Sequence, residues 1–341
     1  MRFDTRKGVL LVTVLVLSLS LLAGCACAKA TYELSLATKM GPQSPEYKAF
    51  QNFADKVAEK TDGDVQIDMF GSEVLGSDES VFKSMGMGAV DIVAGSPVLG
   101  ARTVIPQIDY ITPPFVYTDF EHFQRFLKGE YMQQLFQELS DEAGVILLNT
   151  DWTWRRGPYR VLLTKKPVES LEDIQGLKLR FYPSELELAV WEALGTNPTV
   201  IAWSETYLAL QQGIVESVTS PVTLIYDTKF VEVCPYITVT DEYPQTIVFY
   251  MNNDKFESLP EEYQKVLIEA CNEAGTEFTS QLDAIAEEIV EKSKTDFGAS
   301  FATPDMAPFR AKAAEFYEEL KEKETMEADF WEVMEAIEKA R

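Results

Sequence analysis

"GLKLRFYPSELELAVWEALGTNPTVIAWSETYLALQQGIVESVTSP", Gly176 to Pro221, is the stretch that decides how this chain is read. The apolar runs "GLKLRF" and "NPTVIA" have the length of buried strands. Each is followed by a helical pattern, Glu185 to Leu194 and Glu205 to Gln212, the second capped by Ser204. Strand and helix alternating at this spacing predict a mostly parallel sheet with helices on its faces. Ligands of such sheets sit beyond the carboxyl ends of the strands. Arg180 closes the first run and Trp203 the second, so both are expected to face a cleft. An arginine there stays charged and can pair with a carboxylate through two parallel N–H bonds.

The same rhythm extends in both directions. "YELSLAT" reads as a buried strand, and "SPEYKAFQNFADKVAEKTDG" as a helix with Ser44 as N-cap, Pro45 in its first turn and Gly63 as its stop. "VQIDMF", "DESVFKSMGMG" and "AVDIVAG" continue a β-α-β-α-β series, and after two further helical patterns "GVILLN" adds a strand. The rhythm then restarts with "YRVLLT", so a second α/β unit is predicted. "TIVFYMNN" supplies a late strand expected to return to the first unit. A helical run from Pro260 to Lys294, broken only by Gly275, would reach ~50 Å at 1.5 Å per residue, the width of both units. The fold class is therefore α/β: two lobes, a cleft between them that closes by hinge motion, and a long helix spanning both. The expected limits are 31–157 with 246–285 for lobe I and 158–245 with 286–341 for lobe II. The charged final helices are expected to form a solvated outer layer.

A chain of 341 residues with 46% apolar content can bury two such cores. Residues 1–24 read as an export leader: Arg2, Arg6 and Lys7 precede an apolar run from Val9 to Ala23 that is short for a membrane span. "LAGC", Leu22 to Cys25, resembles a bacterial lipobox and would anchor the protein through Cys25, while "ACA", Ala26 to Ala28, fits ordinary cleavage. Both readings place the mature protein in the periplasm. Removing the leader, with three positive charges against Asp4, takes the net charge from −25 to −27. Such acidity excludes nucleic acid as a partner. It also means that any anion site must use local cations, since salt screens the distant field beyond roughly 8 Å. Export permits a disulfide between Cys234 and Cys271, and the sequence leaves both a bridge and free thiols open, the free form being favoured.

Enzymatic signatures are missing. The chain lacks G-x-S-x-G, G-x-x-x-x-G-K-[ST], H-E-x-x-H and G-x-G-x-x-G. The single His122 lies in a pattern that reads as a surface helix, and Glu185 and Glu187 read as solvated helix positions. No catalysis, cofactor or metal is expected. Cations and aromatics are the better candidates. Arg155, Arg156 and Arg160 stand in "DWTWRRGPYRVLLT", where surface ion pairs are an equal reading for the first two. Trp152 and Trp154, two apart, point the same way if extended, either into a core or into the cleft. Tyr182 stands at a strand end, Ser96 in the turn after the third strand, and Lys39 just past the first; all three join the candidates.

"GLKLR", the L-G-x-x-P of Leu194 to Pro198, "SETYLALQQGIVES" and the upstream "VLGSDESVFKSMGMGAVDI" resemble the solute-binding proteins of tripartite ATP-independent periplasmic (TRAP) transporters, DctP type. The resemblance spans essentially the whole mature chain and implies a periplasmic-binding-protein-like fold that delivers a small-molecule carboxylate to TRAP membrane subunits. It further implies that Arg180 clamps the ligand carboxylate, Arg160 makes a second contact, Trp203 stacks on the ligand, and Ser220 stands where the family usually carries asparagine. Here "VESVTS" replaces the family's V-D-G-x-x-N, an amide becomes a hydroxyl, and Pro183 stands close behind Arg180. Each ligand hydroxyl buried without a partner costs ~1–3 kcal/mol, so these losses point away from a sugar acid and toward an aromatic or indole-type acid. A sugar acid or short keto acid, and a receptor for an ATP-driven transporter or a sensor, are the alternatives. An exported enzyme is the remaining rival.

Overall fold

The computed structural model describes residues 30–98, 100–323 and 326–341. The leader, with its cleavage and lipidation signals, lies outside the described residues. Strands β1 (Tyr32–Ala37), β2 (Val65–Phe70), β3 (Ile92–Gly95) and β4 (Val145–Leu147) belong to one sheet. Strands β5 (Arg160–Thr164), β6 (Lys178–Phe181), β7 (Asn197–Val200), β8 (Ser217–Pro221) and β9 (Tyr236–Val239) belong to a second. The chain returns to the first sheet with β10 (Val248–Asn252) and to the second with β11 (Ser300–Ala302). The spatial orders are β2-β1-β3-β10-β4 and β11-β9-β5-β8-β6-β7. Strands β1, β2 and β3 are parallel, as are β8, β6 and β7, while β10 and β5 run antiparallel to both their neighbours.

Local chemistry explains the first helix. Ser44 accepts the Tyr47 N–H at 3.1 Å, Pro45 occupies the first turn, and Phe50, Phe53, Ala54 and Val57 bury one face. That face packs on the first half of a continuous helix, Glu261–Phe297, whose 37 residues span ~55 Å. Leu267, Ala270, Cys271, Ala274, Phe278 and Leu282 of this helix lie in the core of the first sheet, and Ala286 and Ile289 in that of the second. Gly275 does not interrupt it. A methyl group there would come within 2.4 Å of the Trp154 ring, so the missing side chain is the seat of that indole.

The two lobes are joined by more than this helix. Arg155 pairs with Thr246 across the two connecting strands, with Arg156 N–H donating to Gln245 and Ile247 N–H to Trp154. The last helix, Ala328–Lys339, buries Phe330 in the core of the second sheet but Val333 and Ile337 among Phe123 and Phe126 of the first. The tail thus ties both lobes, where an outer layer on the second lobe was expected. His122 is likewise not on a surface: it is fully buried, and its Nε2 donates to the Ile337 carbonyl at 2.8 Å. The apolar partner that covers its helix comes from 215 positions away, beyond the reach of local periodicity. Cys234 and Cys271 are buried in separate cores and free.

Candidate functional site

The parallel strands of both lobes end at one small, partly open cavity of about 50 Å³. From the first lobe come Lys39, two residues past β1, and Ser96, directly after β3. From the second come Arg180, next to last in β6, then Phe181, Tyr182 and Trp203, which follows β7. Arg160 opens β5, which runs antiparallel to β8, so it faces Pro221 at the carboxyl end of that strand. The connections between lobes add Arg156 and Gln245.

Four cations on one small cavity would repel each other, and three of them have a carboxylate of their own. Arg156 holds the buried Glu46 through two bonds of 2.9 and 3.1 Å. Arg160 donates through Nε to the buried Glu242 at 2.8 Å, through a second nitrogen to Thr219 at 2.8 Å and through the third to Gln245. Burial works against its charge, but the facing Tyr243 and Glu242 outweigh this and make it hold its proton more firmly than usual. Lys39 reaches Asp78 at 2.9 Å; burial lowers the lysine's pKa and Asp78 opposes the shift.

Arg180 differs. Its Nε donates to the Ile201 carbonyl at 2.9 Å, and its guanidinium lies 5.4 Å from the Trp203 ring centre. Among the described residues no carboxylate lies within 4 Å of it, although it is only 5% exposed. Burial lowers its pKa to about 10, which leaves it charged at neutral pH. A buried cation without an anion is costly to maintain, and this one faces an opening. Trp203 is half-buried, edge-on to Phe230 at 5.0 Å, with Lys39 of the other lobe 5.6 Å from its centre.

Other expectations need correction. Ser220 is fully buried but points away from the cavity, with its hydroxyl bonded to the Pro221 carbonyl. Alternation along β8 turns Thr219 and Pro221 to the cavity instead, a two-residue period readable once the strand face is known. Trp152 and Trp154 are core residues, 4% and 0% exposed. Trp154 donates to the Cys271 carbonyl at 2.8 Å and packs 4.7 Å from Phe249, and Trp152 lies 5.3 Å from Phe136. Positive φ at Trp152 breaks the extended geometry that would have aimed the two indoles alike. Arg156 is no surface pair, and its partner, 110 residues earlier, carries no local signal.

Glu187 is fully buried rather than solvated. It accepts from Tyr182, and from Thr112 at 3.3 Å, while its Oε2 has no hydrogen-bond partner. Burial raises its pKa to about 8, against the opposing effect of Tyr182 and Arg160. Because the folded value exceeds the ordinary carboxyl value of 4.5, the cost accrues as pH rises from 4.5 to 8 and is complete above that. Asp109, raised to about 6 by burial, adds a smaller loss at lower pH. Glu187→Gln should therefore gain stability over the wild type between pH 5 and 9, by on the order of a few kcal/mol. Parallel thermal melts across this range check it, and a constant difference would contradict the assignment.

Comparison with known proteins follows the same lines. The model of "bacterial extracellular solute-binding protein, family 7" matches residues 36–324. The sialic acid-binding periplasmic protein SiaP of Vibrio cholerae is 26% identical over 309 residues, 90% of this chain and 93% of that one. A TRAP periplasmic solute-binding protein of Pseudomonas putida with bound D-glucuronate is 27% identical, with a TM-score of 0.77 over 90% of this chain and 96% of its own. One from Roseobacter denitrificans with bound L-galactonate is 26% identical, with a TM-score of 0.75 over 84% and 94%.

Proposed function

We propose that this chain, which belongs to bacterial extracellular solute-binding protein family 7, captures a small hydroxylated organic acid in its cleft and delivers it to TRAP membrane subunits. The family consists of receptors rather than enzymes and works outside the cytoplasm. The observation that carries the reading is Arg180, a buried guanidinium facing the cavity with no carboxylate within 4 Å among the described residues. A ligand carboxylate supplies what the fold omits, through the two terminal nitrogens that Ile201 leaves free. With so little room between the lobes, the acid enters as they part and is enclosed as they close.

The body of the ligand is read from the remaining wall. An aromatic acid would use Trp203, Tyr182 and Phe181, but Trp152 and Trp154 no longer support it. The Ser96 hydroxyl, the Gln245 amide and the Thr219 hydroxyl, which is already an acceptor for Arg160 and free to donate, suit ligand hydroxyls better. The relatives that carry D-glucuronate, L-galactonate and sialic acid point the same way. Thr219 supplies the polar contact that the residues around Ser220 were expected to lack.

A thermal-shift panel of hexonates, hexuronates, sialic acid, short keto acids and indole acids tests this. A ligand at 100 times its Kd stabilises by about 2.7 kcal/mol, several degrees in a chain this long. We expect a shift of that size from at least one hydroxylated acid and none from indole acids. Shifts only from indole or phenyl acids would restore the aromatic reading, and no shift from any acid would overturn the receptor assignment.

A further inference from the structure

We propose that Asp78 sets the charge selectivity of the cleft: by neutralising Lys39 it leaves Arg180, among the described residues, as the one cation of the cavity wall without an ion-pair partner and restricts the site to ligands with a single negative charge. The inference rests on the receptor reading above and narrows its substrate class to monoanionic acids, excluding dicarboxylates and phosphate esters.

Charges on the cavity wall nearly cancel. Lys39, Arg156, Arg160 and Arg180 line it, and no carboxylate does. Behind the first three stand Asp78, Glu46 and Glu242, at 2.9, 2.9 and 2.8 Å. Among the described residues one cation of the wall, Arg180, remains without an ion-pair partner, with Glu73 a more distant carboxylate that favours its charge. Any ligand charge beyond what that cation offsets would be buried uncompensated. Glu187, behind Tyr182, does not change the count near neutral pH, because burial keeps it largely protonated. A second carboxylate on the ligand would need a second free cation or its own desolvation offset, and the described lining of the cavity supplies no second free cation.

Of the three counter-ions, Asp78 is the one placed to act as a selector. Glu46 and Glu242 are fully buried in multi-point networks at the lobe connections, where they hold the frame. Asp78 makes one bond to Lys39, its side chain is 19% exposed, and it sits in the first turn of a helix, Asp78–Gly86, whose N-terminus favours its charge. It can be changed with little effect on either core. Lys39 comes from the opposite lobe to Arg180, and the two cations lie 5.6 and 5.4 Å from the centre of the same Trp203 ring. Freed from Asp78, Lys39 would offer a second anion subsite, the incoming carboxylate taking over from Asp78 in holding the buried lysine charged.

The test is calorimetric titration with matched acids: galactonate against galactarate and gluconate against glucarate, each pair alike except for its second carboxylate. The wild type should bind the one-carboxylate member of the accepted pair at least tenfold more tightly. Asp78→Asn should narrow that ratio by at least tenfold. The double variant Lys39→Met/Asp78→Asn, which removes both charges, should return the ratio to within a few-fold of the wild type and controls for misfolding of the single variant. Preference of the wild type for the two-carboxylate acid, or a ratio unmoved by Asp78→Asn, would overturn the charge-selection proposal while leaving the receptor reading intact. Binding of no acid by the wild type would remove that reading and this proposal with it.

Discussion

Arg180→Lys is expected to weaken the accepted acid by more than tenfold, and Arg180→Met by about a hundredfold or more. Lysine keeps a charge but not the two-bond fork, whereas methionine keeps neither. Loss of one partner of a buried charge pair costs ~2–5 kcal/mol in binding. The unliganded protein should respond in the opposite direction. Among the described residues Arg180 makes one bond to the frame, to Ile201, and its buried charge has no carboxylate within 4 Å. Arg180→Met should therefore leave the apo melting temperature unchanged or raise it. A residue that weakens the empty protein and strengthens the complex is the mark of a binding site. Unaltered calorimetric affinity in Arg180→Lys, or a large loss of apo stability in Arg180→Met, would contradict the role given to it.

The second large effect separates two tryptophans. Trp154→Ala should cost ~3–5 kcal/mol of stability, since the indole fills the space over Gly275 between Phe50, Phe249 and Phe278 and its N–H satisfies the Cys271 carbonyl. Ligand affinity of the folded fraction should be nearly unchanged, because Trp154 does not line the cavity. Trp203→Ala should do the reverse, with a smaller stability loss and a clear loss of affinity, as its half-buried ring stands beside Arg180 on the cavity wall. Chemical denaturation and calorimetry on the two variants check this. Equal effects on both quantities in either variant would show that core and cleft are not divided as described.

These contrasts also mark how far the sequence could be read. The α/β class, the two lobes and the places of Arg180 and Trp203 were legible because strand and helix periods are local signals, and a strand end in an open sheet has a known direction. The N-terminal cap of the first long helix was legible for the same reason: Ser44, Pro45 and the apolar face that follows lie within four turns. What could not be read depends on partners far away in the chain. Glu46 meets Arg156 across 110 positions, Asp78 meets Lys39 across 39, and His122 meets Ile337 across 215. The face of β8 presented to the cavity follows from its register against β5, which placed Thr219 rather than Ser220 beside Arg160. Glycine at 275 looked like a break because propensity disfavours it in a helix, yet close packing against an indole requires it.

The most direct measurement is a crystal structure of the protein with the tightest acid from the panel. The account predicts both carboxylate oxygens within 2.7–3.2 Å of the Arg180 terminal nitrogens, hydrogen-bond range for such pairs. It also predicts that Glu46, Glu242 and Asp78 still hold Arg156, Arg160 and Lys39. A carboxylate seated instead on Arg156 or Lys39, with Glu46 or Asp78 displaced, would contradict it.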